Sequence, residues 1–250
     1  MLISIITPTY NSSNQIRETY LSIKNQSYSN WEWLVTDDCS TDNTYDILKE
    51  ISGNDDRVRI FQNEINSGAA HSRNNSISQS KGDYLAFIDS DDLWLPSKLE
   101  TQLSFMVENK INFSFTCYEL ISERGESYGK VVDSHLSGPV CYNDMLRKKA
   151  TLGCSTVMLK VDSFIDLKMP LIRTGQDYAL WLKLLKKEGS LAYPLSKVLT
   201  RYRIMPNSIS RNKIKKARRQ WQIYREIEKL SLFISIECFI YYAYRAVFRN

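Results

Sequence analysis

The sequence predicts an α/β fold, a mostly parallel sheet flanked by helices with a helical extension at its carboxyl end. Short apolar runs alternate with amphipathic segments through residues 1–100. Three of those runs are closely followed by polar clusters: Thr7-Pro8-Thr9-Tyr10-Asn11, Asp37-Asp38 and Asp89-Ser90-Asp91-Asp92. Hydrophobic residues make up 43% of the 250 residues and charged ones 24%, enough for a core and unlike a disordered chain.

The elements follow in order. Leu2 to Ile6 is an apolar strand stopped by Thr7-Pro8. Ser12 to Gln26 is a helix with Ile16, Tyr20 and Ile23 at helical spacing and Ser12 or Ser13 as its cap. Trp31 to Val35 is the second strand, Asp37 to Thr44 a loop, and Thr44 to Ile51 a helix with Ile47, Leu48 and Ile51 on one face. Val58 to Gln62, Ser67 to Gln79 and Tyr84 to Ile88 complete the alternation as strand, helix and strand. Beyond residue 100 the pattern loosens. Phe113 to Ile121 is a strand, Gly125 to Gly138 a polar excursion, Ser155 to Lys160 a strand, and Leu199 to Ile204 a last short strand. Asp177 to Lys187 is a helix that buries Leu180, Trp181, Leu184 and Leu185, and long helix begins at Arg211.

Parallel α/β sheets bind ligands at the carboxyl ends of their strands. The three polar clusters therefore converge on one edge. Two carboxylates one residue apart at a strand end suit a hard divalent cation that also binds substrate phosphates. The alternative is that Asp89, Asp91 and Asp92 cap a helix starting near Leu93-Trp94-Leu95-Pro96. Asp37-Asp38 suits the imide N–H of a uracil ring or, equally, an Asx turn leading into Ser40-Thr41-Asp42-Asn43-Thr44. Arg73, on the helix after Gly68, is placed to meet a phosphate or a carboxylate. Asp177 opens an apolar helix, as a general base for a hydroxyl or as a first-turn acid favoured by the helix dipole.

Other classes are disfavoured. The net charge of +5 is modest and implies no nucleic-acid partner. Two histidines exclude a histidine-rich metal site, and His71 is expected on a helix surface. No GxGxxG follows a strand, against a dinucleotide-dependent dehydrogenase. Thr7 to Asn11 is not the glycine-rich loop of a nucleotidyltransferase. Five scattered cysteines without a CxxC pair, and a first segment read as a strand rather than a signal peptide, lead us to expect the cytoplasm.

The segments Ser4 to Asn11, Val35 to Asp42, Asn66-Ser67-Gly68 with Arg73-Asn74, and Phe87 to Asp92 resemble, in order and spacing, glycosyltransferase family 2. Gly175 to Trp181 and Arg201-Tyr202-Arg203 through Asn207-Ser208-Ile209-Ser210 extend the likeness over roughly residues 1–210. The resemblance implies a GT-A fold, with a Rossmann-like sheet, and an inverting transfer from a nucleoside-diphosphate sugar, expected to be UDP-linked. Pro8, Thr9 and Tyr10 would contact the nucleoside, Asp38 with Asp37 the base, and Arg73 the phosphate side. Asp89, Ser90 and Asp91 would form the DxD motif on a divalent cofactor (Mn²⁺ or Mg²⁺), with Asp91 the direct ligand. Asp177 would take the acceptor's proton, and Trp94, Tyr178 and Trp181 would line the acceptor side. The acceptor implied is a saccharide, lipid-linked, in bacterial surface polysaccharide synthesis of the O-antigen or capsule kind. Cys39 replaces the family's usual Gly, and Gln176 the usual Glu. No QxxRW-type segment appears, against a processive synthase. A non-catalytic nucleotide-sugar-binding protein is the alternative of a different class, but would be expected to lose a metal carboxylate or the base.

The expected division is a catalytic domain over 1–210, its nucleotide-sugar half about 1–100 and acceptor half about 101–210, and a tail over 211–250. Arg211, Lys213, Lys215, Lys216, Arg218 and Arg219 form a basic run without acids. Leu230 to Phe248 is aromatic and apolar but carries Glu237 and Arg245, whereas a spanning helix needs ~20 mainly apolar residues. Adsorption to the inner face of an anionic membrane is expected, so that deletion after Ser210 would release the protein to the soluble fraction. The alternative is a helical hairpin packed on the catalytic domain or, as a homodimer, on a second copy of the chain.

Overall fold

A computed structural model describes residues 1–205 and 213–248. β1 (Ile3–Thr9), α1 (Ile16–Lys24), β2 (Trp31–Asp37), α2 (Thr44–Asn54), β3 (Val58–Gln62), α3 (Ala69–Ser78) and β4 (Tyr84–Phe87) alternate as the apolar pattern predicts. β1 pairs in parallel with β2 and β4, and β2 with β3. Alternate residues divide between the two faces of this sheet. Ile3, Ile5, Trp31, Trp33 and Val35 pack with Ile16, Tyr20, Ile23 and Leu48 of α1 and α2. Ile6 and Leu34 pack with Ala70 of α3 on the other face.

The second half follows with β5 (Leu93–Trp94), α4 (Lys98–Glu108), β6 (Phe113–Ile121), β7 (Ser127–Val132), α5 (Tyr142–Leu146), β8 (Met158–Lys160), α6 (Gln176–Leu185) and β9 (Tyr193–Arg203). The strands join one sheet in the order β3-β2-β1-β4-β8-β6-β9-β5, with β7 paired to β6. β8 runs antiparallel between β4 and β6, while β9 lies parallel to β6. α4 covers one face and α6 the other.

Several boundaries differ from expectation for identifiable reasons. Leu93–Trp94 is a strand paired with Arg201 and Thr200, and α4 starts only at Lys98, so the acidic run caps no helix at Leu93. The polar excursion contains β7, whose largely exposed residues hide its pairing with β6. Ser155 lies in a 3₁₀ turn (Cys154–Thr156) ahead of the short β8. β9 starts at Tyr193, and Pro194 with the exposed Ser196 and Lys197 masks its apolar pattern.

The tail forms α7 (Lys213–Gln222), a π-helical turn (Ile223–Ile227) and α8 (Leu232–Phe248). It packs on the rest of the chain. Ile223, Tyr224 and Cys238 enter the core that holds Leu180, Trp181 and Leu184. The Tyr224 hydroxyl donates to the Leu146 carbonyl (2.5 Å) and the Tyr142 hydroxyl to Glu228 (2.6 Å). Arg147 pairs with Glu237 at 2.8 Å. The hairpin alternative on the catalytic domain therefore describes the buried side of the tail. Among the described residues no helix is long and apolar enough to cross a membrane. The segment Asn207-Ser208-Ile209-Ser210 and the expected boundary before Arg211 lie outside the described residues.

Candidate active site

The acidic loop leaves β4 and is held from three sides. The Asp89 N–H donates to Ser155 Oγ at 3.0 Å, and that hydroxyl donates to Asp92 at 2.5 Å. The other Asp92 oxygen accepts the Arg203 N–H at 2.8 Å. The Arg203 guanidinium donates to the Asp91 carbonyl (2.7 Å), the Glu123 carbonyl (2.5 Å) and the Glu18 carboxylate (2.7 Å). The Ser90 hydroxyl shares a hydrogen bond with Ser12, which fastens the loop to the region after β1. Asp92 is thus an anchor. Burial, then the charges of Asp91 and Asp89, push its carboxyl well above the usual range.

Asp89 and Asp91 remain. Burial, followed by the charge of Asp89, pushes Asp91 up to about 6. A divalent cation fits this pair, because it would relieve the crowding that raises Asp91. Magnesium or manganese commonly takes one or two carboxylates and completes its shell with substrate phosphate and water. Among the described residues no group of three or more His, Cys, Asp or Glu is placed to hold a metal.

Arg73, buried on α3, forms an ion pair with Asp89. Burial works against its charge, but the facing Cys154, Asp89 and Asp177 outweigh it and raise the guanidinium above its ordinary value. Burial keeps Cys154 a neutral thiol, so the two carboxylates carry the effect at neutral pH. Nε and Nη1 of Arg73 are buried without a partner. The guanidinium thus pairs with Asp89 and feels the charge of Asp177, with donors to spare.

On the other side of the acidic loop, Pro8 and Thr9 are buried and Tyr10 is half exposed. The Thr9 carbonyl accepts the Asp38 N–H at 2.8 Å, and its hydroxyl is buried without a partner. The Asp38 carboxylate accepts the N–H groups of Ser67 (2.8 Å) and Gly68 (2.7 Å) and the Asn63 amide (2.7 Å). It orders the entry to α3, where Gly68 adopts φ +88°. Asp37 accepts from the Ser40 N–H (3.0 Å) and hydroxyl (2.5 Å), three residues on, which closes the loop on itself. Cys39 between them has φ +64°, a left-handed conformation that explains why glycine would suit the position.

Asp177 occupies the first turn of α6 and is partly exposed. Gly175 caps that helix with φ +74°, and the Gln176 side-chain oxygen is buried without a donor. The three aromatic residues expected on the acceptor side are core residues instead. Trp94 donates its indole N–H to the Ser155 carbonyl (2.7 Å), Tyr178 its hydroxyl to the Met145 carbonyl (2.9 Å), and Trp181 its N–H to the Leu152 carbonyl (3.2 Å). Trp181 is wholly buried, packed edge-on to Phe87. Their burial leaves little surface for an acceptor. A cavity of about 530 Å³ beside Met1, Tyr84 and Lys160 lies at the opposite strand edge.

Ser155, Cys154, Glu18 and Asn63 were not foreseen as site residues, and Arg203 was foreseen only within a segment placed after the base. Ser155 reaches the site because β8 is antiparallel, so the residues before it lie beyond the carboxyl end of β4. A polar residue ahead of an apolar run was the available signal, but the strand's direction was not written in it.

The sheet, with its acid pair at the carboxyl edge, has the architecture of the GT-A glycosyltransferases. The family model described as "Glycosyl transferase family 2" matches residues 4–167, and the chain belongs to that family. It is 45% identical over 246 residues (98% of this chain, 96% of the relative) to a putative teichuronic acid biosynthesis glycosyltransferase, TuaG, of Bacillus subtilis (strain 168). It is 38% identical over 222 residues (89% and 85%) to the UDP-Glc:alpha-D-GlcNAc-diphosphoundecaprenol beta-1,3-glucosyltransferase WfgD of Escherichia coli. Among solved structures, the mannosyltransferase PcManGT of Pyrobaculum calidifontis, in complex with GDP-Man and Mn²⁺, superposes with a TM-score of 0.72 at 18% identity. That match covers 97% of this chain and 69% of the other.

Proposed function

We propose that the protein is an inverting, metal-dependent hexosyltransferase. It moves a sugar from a UDP-sugar to a saccharide joined through diphosphate to a lipid, in bacterial surface polysaccharide synthesis. The observation that carries this reading is the buried Arg73, paired with Asp89 of the acidic loop, within reach of the charge of Asp177 and with donors left unpaired. The relative named for a UDP-Glc donor and a diphosphoundecaprenol-linked acceptor supports the substrate classes, and the solved complex with Mn²⁺ supports the cofactor.

Asp89 and Asp91 would hold the divalent cation, which when bound would supply charge neutralisation to the departing diphosphate. Asp91 must lose its proton to take part, and Arg203 holds its backbone in place. Arg73 has unpaired donors for a phosphate oxygen. Asp177 accepts the acceptor hydroxyl's proton as that oxygen attacks the anomeric carbon. The bond from that carbon to the donor phosphate oxygen breaks on the opposite face, which inverts the centre. Tyr10, with Pro8 and Thr9, frames the nucleoside, while Asp37 and Asp38 shape the base side through their loops.

The protein works at the inner face of the membrane. Phe233, Ile236, Ile240 and Tyr244 are exposed along α8 at helical spacing, beside the basic α7, an arrangement suited to an anionic surface.

Screening nucleotide sugars for metal-dependent release of nucleoside diphosphate tests the function. Asp91→Ala is expected to abolish metal-stimulated turnover. Asp177→Asn is expected to slow transfer by about 10²–10⁴-fold with UDP affinity retained. Full activity in both variants would overturn the reading.

A further inference from the structure

The tail contributes more than a lid on the core. Arg219 of α7 lies directly over Gly175, with its Cδ and Nε 3.0 Å from where a side-chain carbon at that glycine would stand. Gly175 is the residue that caps α6, two positions before Asp177. Lys216 precedes Arg219 by three residues, so the two side chains share a helix face. Both are partly buried, and among the described residues neither forms an ion pair. The segment 206–212 contains no Asp or Glu to supply one. Burial, then the charge of Arg219, lowers the Lys216 ammonium from its ordinary value, as expected where two cations stand together without an acid. The amino-terminal end of α6 adds its positive dipole at the same place.

We propose that Lys216 and Arg219 form the binding site for the diphosphate of the acceptor. This rests on the glycosyltransferase reading above, and on Asp177 meeting the acceptor hydroxyl. The donor diphosphate is served by Asp89, Asp91 and Arg73. An acceptor sugar whose hydroxyl meets Asp177 has its anomeric substituent about one ring away. Arg219 lies beside Gly175 at the entrance to that same helix, with Lys216 one turn before it on the same face of α7. A diphosphate there would neutralise the pair and would leave the lipid to run outward past α7 and α8. The proposal also gives the tail's basic run a role in substrate selection: an acceptor glycoside without diphosphate would lose this contact.

The test uses the full chain saturated with UDP and Mg²⁺, so that the donor site is filled. Decyl diphosphate and decyl maltoside, each below its micelle concentration, are titrated by calorimetry into the wild type and into the Lys216→Gln/Arg219→Gln variant. Glutamine keeps an aliphatic stem over Gly175 without the charge. The wild type is expected to bind decyl diphosphate at least about tenfold more tightly than the variant, the scale of a lost charge-assisted contact. Maltoside binding, UDP affinity and melting temperature should be unchanged. Lys216→Gln alone should show a smaller loss in the same direction, and it replaces the double variant if that one unfolds. Equal decyl diphosphate affinity in wild type and variant would overturn the site, as would a wild type that binds the diphosphate no better than the maltoside. A wild type that fails to bind UDP would instead sink the underlying glycosyltransferase reading.

Discussion

Asp91 sits where burial and the neighbouring Asp89 disfavour a second negative charge, and its carboxyl is pushed up to about 6. Its folded value therefore lies above the ordinary 3.8. The stability it contributes is fully present below about pH 4 and is lost as pH rises through 6. A cation bound with UDP should restore that loss, so it should raise the melting temperature more at pH 7.5 than at pH 5. By calorimetry, Mn²⁺ affinity in the presence of UDP should weaken by about tenfold per pH unit below 6. Affinity flat across pH 5 to 7.5 would show that Asp91 is not a ligand. Lys98 presents the opposite case. It is wholly buried over the Trp94 ring at 3.9 Å, its Nζ has no hydrogen-bond partner, and burial alone lowers its value well below 10.5. The unfolded chain binds this proton more readily, so its contribution to stability falls as pH drops below about 10.5. Lys98→Met should stabilise the fold at pH 7 by about 1 kcal/mol or more, the scale of an unsatisfied buried polar group. Denaturant melts at pH 7 and 10 should show that gain shrinking at the higher pH.

At the scale of elements, short turns with unusual backbone decide where the chemistry lies. Gly175 has φ +74°, and any side chain there would meet Arg219 and Ile223 of the tail at 3.0–3.2 Å. Gly175→Ala should therefore lower stability by about 1–3 kcal/mol and loosen α7 from α6. Chemical denaturation would measure the first effect and proteolysis within α7 the second; an unchanged midpoint would mean the two helices are not coupled there. The three polar clusters were legible as strand ends because β1, β2 and β4 have plain apolar runs and parallel strands share one carboxyl edge. The nearness of Ser155 and Arg203 to Asp92 was not, because β8 runs antiparallel and Pro194 near the start of β9 masks that strand, so it depends on long-range pairing. The aromatic residues of α6 show the same limit. Tyr178 and Trp181 follow an acid at a helix start, and only packing reveals that both point into the core.

For the whole molecule, the tail is part of the folded unit and has an outer surface of its own. Burying residues such as Ile223 and Tyr224 contributes about 1.5–3 kcal/mol each, a substantial share of a domain's 5–15 kcal/mol. Deleting residues 211–250 should consequently give misfolded protein rather than a soluble enzyme, and fractionation of that truncation would report folding. Phe233→Ser with Ile240→Ser tests the surface without opening the core, since both side chains are exposed (85% and 64%). Co-sedimentation with anionic vesicles should fall several-fold in this variant while its melting temperature stays within a few degrees. Equal sedimentation would leave α8 without a membrane role.

The sequence by itself determined the α/β class, the parallel first half and the acid run at a strand's end. Each is written in local hydrophobic period and in the residues that stop a strand. It also carried the family likeness, because those motifs are contiguous. The tertiary structure alone decided which acid anchors and which remain available: Asp92 is held by Ser155 and Arg203, 63 and 111 residues away. It likewise decided that Arg73 is buried against Asp89, and that a basic tail lies against Gly175. These are contacts between distant segments, set by the order and direction of strands and the docking of helices, and no local spacing encodes them.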